Sequence, residues 1–193
     1  MSDDEPPTRT ERLFLRMTIM QTVMTAAAVI ISMAALYAAF VQAESARKQT
    51  EAAVWPYVDI GNTIVTQDGE ARGVVFMENT GIGPARVRAV RVRVDGAAQP
   101  NWTTALEAVG IEDRFGYINM TNQVLSPEQT LSVLRLRDPR NGQLLRNMWE
   151  DRFEISYCYC SVFDQCWIQS DPEMETPEEV DQCPAWDGER FEN

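Results

Sequence analysis

Between Arg16 and Glu44 the chain carries no charged residue, a run of 27 positions. At a rise of about 1.5 Å per residue, some 20 residues cross the hydrocarbon core of a bilayer, so the run is long enough to span it with room for tilt. Its most apolar part is Val23 to Val41. Thr18, Gln21 and Thr22 stand at its start, and Tyr37 lies near its far end, where an aromatic ring suits the interface. Residues 17–41 are therefore expected to contact the lipid bilayer. Val41-Gln42-Ala43 also has the small-x-small form of a signal cleavage site. The run is much longer than the apolar core of about 7–15 residues in a cleaved signal, so an uncleaved anchor is the expectation. Small residues recur four apart (Ala28 with Ser32, Ala34 with Ala38, Ala35 with Ala39). That spacing lets two helices approach closely, although an alanine-rich span produces it without any such purpose.

Residues 1–11 are polar, contain two prolines, and are expected to be a disordered cytoplasmic tail. Residues 12–53 read as one helix, part transmembrane span and part stalk. Gln42 to Ala53 are good helix formers, Glu44 and Lys48 make a favourable i,i+4 pair, and Pro56 pushes Trp55 out of the helical region. Trp55 is expected to pack where the stalk meets the domain. Arg9, Arg12 and Arg16 precede the span and only Arg47 and Lys48 follow it closely, which favours an N-terminus inside the cell. Four cysteines beyond the span point the same way, because disulfides persist in oxidising compartments. The expected location is a bacterial inner membrane, with residues 44–193 in the periplasm.

After Pro56 the periodicity changes. WPYVDIG, RGVVFMEN, ARVRAVRVRVDG, LSVLRLR and RFEISYCYCS are short, rich in β-branched and aromatic residues, and bounded by turn residues. Such segments predict an immunoglobulin-like β-sandwich over residues 54–170 rather than βαβ units. Asp68-Gly69 predicts a hairpin turn, and Asp95-Gly96 ends the third strand. Only Asn101 to Gly110 and Gly142 to Asp151 read as helical, as short elements carried on loops. In the third strand the arginines fall at 86, 88, 91 and 93. Strict alternation puts Arg86 and Arg88 on the face opposite Arg91 and Arg93, so a β-bulge near Ala89-Val90 is predicted to bring all four together. These arginines form either a solvated face paired with carboxylates or an anion- or partner-facing stripe.

Asn79-Thr80-Gly81-Ile82-Gly83-Pro84-Ala85 reads as a tight strand-to-strand connection. Its two glycines allow positive φ, Pro84 fixes the exit, and Asn79 can hydrogen-bond its own loop. A phosphate loop needs G-x-x-x-x-G-K-[ST] opening a helix, and here there is no lysine and a strand follows. Cys158 and Cys160 are two apart and share a strand face, and folding the chain about Phe163 sets Cys160 opposite Cys166. Disulfides 160–166 with 158–183 are the first expectation, and 158–166 with 160–183 the second. The spacing lacks the C-x₂₋₄-C knuckles of zinc sites and the C-x-x-C of redox motifs. Residues 171–193 hold nine acidic side chains against Arg190 alone, which is two thirds of the net charge of −12. They lack the calcium-loop pattern, and a solvated acidic arm stapled at Cys183 is expected.

The N-x-G-x-G-P-A motif, with Val54-Trp55-Pro56-Tyr57 upstream and YCYCSVFDQCW downstream, resembles a group of uncharacterised bacterial single-pass membrane-anchored proteins. The likeness covers most of residues 20–185. It implies a short tail, one membrane helix, a stalk and a small periplasmic β-rich domain, and it implies no activity.

The chain has no histidine, so Ser-His-Asp and Cys-His catalytic arrangements and His-ligated zinc or haem are excluded. The body of the protein is only mildly acidic, which argues against a nucleic-acid partner. No catalytic residue, metal site or cofactor is expected. The function expected is non-enzymatic docking with another envelope membrane protein or a second copy of the chain. The alternatives are a cysteine-based metal or redox carrier and a carboxylate-dependent hydrolase.

Overall fold

The computed structural model describes residues 9–67, 70–170 and 176–192. They fall into two compact units that divide between Thr50 and Glu51. The first is the greater part of helix α1 (Arg9–Ala52), 44 residues long with no buried side chain. By length and composition it can cross a membrane. Arg9, Thr10 and Glu11, expected in the tail, are helical residues. The remaining tail residues, 1–8, lie outside the described residues. The hydroxyls of Thr18, Thr22, Thr25 and Ser32 each donate to the carbonyl four residues back, at 2.8–3.0 Å. Glu44 accepts from Arg47 at 3.0 Å and pairs with Lys48 at 3.8 Å.

The second unit is β-rich. Its strands are β1 (Val58–Gln67), β2 (Glu70–Asn79), β3 (Ala85–Val94), β4 (Ala97–Gln99), β5 (Phe115–Tyr117), β6 (Val124–Leu125), β7 (Thr130–Leu136), β8 (Phe153–Cys160), β9 (Cys166–Gln169) and β10 (Glu178–Val180). Helix α2 (Trp102–Ala108) follows β4, and α3 (Pro139–Arg152) joins β7 to β8. One sheet has the order β1-β2-β7-β5, and the other has the order β10-β9-β8-β3-β4 with β6 also paired to β3. Both sheets feed one buried cluster: Val75, Met77, Val133 and Leu134 come from the first, and Val87, Val90, Val92 and Tyr159 from the second. The Tyr157 hydroxyl joins the sheets by donating to the Val58 carbonyl at 3.0 Å, and burial pushes its pKa up.

Each strand segment read from the sequence contains a strand, although Trp55, Pro56 and Tyr57 of the first precede β1. β1 runs six residues beyond Gly61, since Gly61 pairs with Phe76 and the Phe76 ring lies over it. The short strands β4, β5, β6 and β10 add to the expected set, because two or three residues carry no period. Asp95 and Gly96 both have positive φ, at 50° and 78°, and make the two-residue turn between β3 and β4. The Asp68-Gly69 turn lies outside the described residues, between the paired Gln67 and Glu70. The second predicted helix is longer than expected and is not merely carried on a loop. Asp138 caps it, Pro139 opens it, and Gly142 lies so close to Gly73 of β2 that neither has room for a side chain.

Candidate functional site

The cysteines and arginines singled out in the sequence meet on one face of the β9-β8-β3 sheet. In the antiparallel ladder Arg86 stands opposite Cys160, Ala89 opposite Cys158, Arg91 opposite Ser156 and Arg93 opposite Glu154. Paired positions point the same way, so these side chains share the face turned away from the common core. The register shift lies between Val87 and Ala89. The extra residue is therefore Arg88, one position before the expected Ala89-Val90 site. It falls there because the alternation of Val87 and Val90 toward the core must be kept while Ala89 stays outside, opposite Cys158.

The β8–β9 hairpin turns over Ser161 to Gln165. Ser161 N–H donates to the Gln165 carbonyl at 2.8 Å, the Ser161 hydroxyl accepts from Phe163 N–H at 3.1 Å, and Asp164 adopts positive φ. This sets Cys160 directly opposite Cys166 with Cα atoms 4.0 Å apart, and the two are joined as a disulfide. Cys158 is joined to Cys183 across 25 residues. Both bonds belong to the first of the two expected pairings.

The C-terminal segment is not a solvated arm. Among its described residues, Glu178 to Val180 add strand β10 to the edge of β9. Val180, Cys183 and Trp186 then pack over Cys158, Cys160, Cys166 and Ile168 as a second apolar cluster, on the opposite face of the sheet from the main core. Trp186 lies over the Arg91 guanidinium, 5.1 Å from ring centroid to cation. Glu189 accepts from Arg93 at 2.7 Å and from Arg91 at 3.3 Å, and Glu154 lies 3.8 Å from both. Hydrogen bonding from Arg93, with the charges of Arg93 and Arg91, holds the Glu189 carboxyl below the usual carboxylate range. Beyond it Phe191 N–H donates to the Val90 carbonyl at 2.9 Å, and the Phe191 ring is buried edge-on against Trp102 at 5.1 Å. The segment is a strap, fixed by a strand pair, a disulfide, an ion-paired carboxylate and a core aromatic. Acidic composition conceals this. The only sequence signal is Cys183, Trp186 and Phe191 standing at intervals in an otherwise polar stretch.

The four arginines are thereby assigned. Arg86 pairs with Asp164 and donates to the Ser161 carbonyl at 2.8 Å, holding the hairpin turn to β3. Arg91 and Arg93 hold the strap. Arg88 is exposed, and among the described residues no carboxylate pairs with it. Its carbonyl accepts from Arg190 at 3.5 Å. The Sγ atoms of Cys160, Cys166 and Cys183 lie within 4.8 Å of one another. With every cysteine in a disulfide, they offer no thiolate to a metal.

Beside this face lies the N-x-G-x-G-P-A loop, and Asn79 is its hub. Its buried amide accepts from Tyr57 N–H at 3.2 Å and Gly81 N–H at 3.1 Å, and donates to the carbonyls of Gly83 at 2.8 Å and Leu125 at 3.0 Å. Gly81 and Gly83 are required for a reason other than the expected positive φ, which neither adopts. The backbone of Val54 to Tyr57 passes so close that a Cβ on either glycine would collide with it. The loop is thus the seat on which the chain enters the domain. Trp55 accepts backbone hydrogen bonds there from Ile82 and Gly83, at 3.0 and 3.3 Å, and its ring packs edge-on against Tyr57 and Trp167.

A helix of membrane-crossing length followed by a two-sheet β domain with a stapled C-terminal strap defines the class of this protein. The chain belongs to the family defined by a domain of unknown function, DUF8453, whose model matches residues 19–176. The match takes in most of α1 and every strand but β10, and ends before Cys183. Neither the curated proteins nor the solved structures contain a match to the chain.

Proposed function

We propose that this protein is a single-pass, membrane-anchored and non-enzymatic docking module. Residues 17–41 cross the bacterial inner membrane with the N-terminus in the cytoplasm, and the β domain works in the periplasm on another envelope membrane protein or a second copy of the chain. The hydroxyls of Thr18, Thr22, Thr25 and Ser32 in the span are returned to the helix's own backbone, as a lipid environment requires. Two disulfides on one face suit an oxidising compartment. The strand orders support an immunoglobulin-like sandwich: β1-β2-β7-β5 and β9-β8-β3 correspond to the A-B-E-D and G-F-C sheets of that fold, with β4 beside its C strand.

The observation that carries the docking role is an apolar rim at one end of the domain. Ile82 is 65% exposed, Val124 60%, Val162 49% and Phe163 44%. They stand on the β2–β3 loop, on β6 and on the β8–β9 turn, which Asn79 and Arg86 bind to one another. Exposed apolar residues gathered on neighbouring loops mark an interaction surface better than the same residues scattered singly. Cross-linking and co-purification in native membranes test the proposal. The Ile82→Asp/Phe163→Asp double variant is expected to lose a stoichiometric partner or oligomer while staying in the membrane. A wild-type chain that yields neither overturns the docking role, and a reporter fusion active only in the cytoplasm overturns the orientation.

A further inference from the structure

The densest reactive chemistry in the domain is sulfur. The Sγ of Cys160 lies 3.7 Å from the Sγ of Cys183, so the two disulfides are in contact with each other. We propose that the four cysteines act as a single thiol–disulfide exchange site, which takes two electrons from a dithiol reductant and settles as a Cys160–Cys183 disulfide with Cys158 and Cys166 as thiols.

Entry is at Cys183, which is part-exposed while the other three cysteines are buried. A thiolate of the reductant attacks Cys183 Sγ, and Cys158 leaves as a thiolate and takes a proton. The reductant's second thiolate attacks its own sulfur in the mixed disulfide, leaving as an oxidised disulfide and freeing Cys183 as a thiolate. Cys183 then attacks Cys160 Sγ across the 3.7 Å gap, and Cys166 departs and takes the second proton. In sum, one dithiol becomes a disulfide, and two protein disulfides become one disulfide and two thiols. Cys158 is fully buried beside Ile168, Val180 and Trp186, a setting that suits a neutral thiol and keeps it from attacking again.

The consequence is a tether that survives reduction. Cys158 and Cys160 are two residues apart on one face of β8, so the exchange moves the anchor of the strap by one face-sharing position, roughly 7 Å. With an isolated Cys158–Cys183 bond, the same two electrons would leave the strap with no covalent tether, held by β10, Glu189 and Phe191.

The Cys166→Ser variant of the full chain in detergent tests this, because it leaves Cys160 as a thiol against the 158–183 bond. After incubation at mildly alkaline pH, acid quench and maleimide labelling, chymotryptic cleavage at Tyr159 separates Cys158 from Cys160. Label on both cysteines, together with a 160–183 linked peptide, is the expected result. Label on Cys160 alone overturns the proposal. Should that variant fail to fold, the wild-type chain treated with one equivalent of dithiothreitol tests the same exchange. Label on Cys158 and Cys166 is expected, and label confined to either original disulfide pair overturns it.

Discussion

Glu189 accepts two hydrogen bonds from the Arg93 guanidinium, at 2.7 and 3.0 Å, across 96 residues of sequence. The folded-state pKa of Glu189 is depressed from 4.5, so the stability this pair contributes is present above that value and is lost as pH falls through the folded pKa. Both partners are partly exposed, which keeps the effect small and salt-sensitive. The Glu189→Gln variant is expected to melt slightly below wild type at neutral pH. The difference should close in acid, which thermal melts at a series of pH values will read.

Phe191 distinguishes a strap from a solvated arm. Its ring is 1% exposed and packs on Trp102. Phe191→Ala is expected to cost about 3–5 kcal/mol in urea unfolding, whereas truncating a side chain on a free arm costs nothing measurable.

Asn79 satisfies four backbone groups with one side chain. Asn79→Ala leaves them without partners in a buried site, at about 1–3 kcal/mol for each one that water does not reach. Asn79→Asp is expected to be at least as damaging, because a carboxylate oxygen then faces the carbonyls of Gly83 and Leu125. Denaturant midpoints of the two variants check the order.

Gly83 and Gly116 make a matched pair. A methyl group on Gly83 meets the Val54 backbone, and one on Gly116 meets nothing within 4 Å. Gly83→Ala is expected to lose about 1–3 kcal/mol or to displace the entry segment, seen as a change in Trp55 fluorescence. Gly116→Ala should stay within about 0.5 kcal/mol of wild type.

The purified, unreduced protein is expected to show no alkylatable thiol by intact mass, and four after denaturation with reductant. On loop entropy, the Cys158–Cys183 bond, with a separation of 25, stabilises by about 3.5 kcal/mol. The Cys160–Cys166 bond, with a separation of 6, contributes about 2 kcal/mol. The Cys158→Ser/Cys183→Ser chain should therefore unfold at lower denaturant than the Cys160→Ser/Cys166→Ser chain.

The elements legible in the sequence are those whose signal is local. An uncharged run of 27 residues makes α1. Alternating valines make β3, Asp95-Gly96 makes its turn, and the cysteine spacing of the hairpin places Cys160 against Cys166. Even the need for a bulge among the arginines is visible, since alternation of period two breaks there. Which residue bulges is not visible, because that depends on β8 presenting Cys158 to Ala89. The glycines of N-x-G-x-G-P-A look the same in sequence whether they serve positive φ or close approach, and only the path of Val54 to Tyr57 decides between them. The strap is hidden most completely. Nine carboxylates in 23 residues read as solvent-exposed. What turns the segment inward is long-range: Arg91 and Arg93 wait for Glu189, Trp102 waits for Phe191, and Cys158 waits for Cys183. Local patterns therefore determined the elements, and the packing of distant partners decided which charges are paired, which glycines are indispensable and where the tail lies.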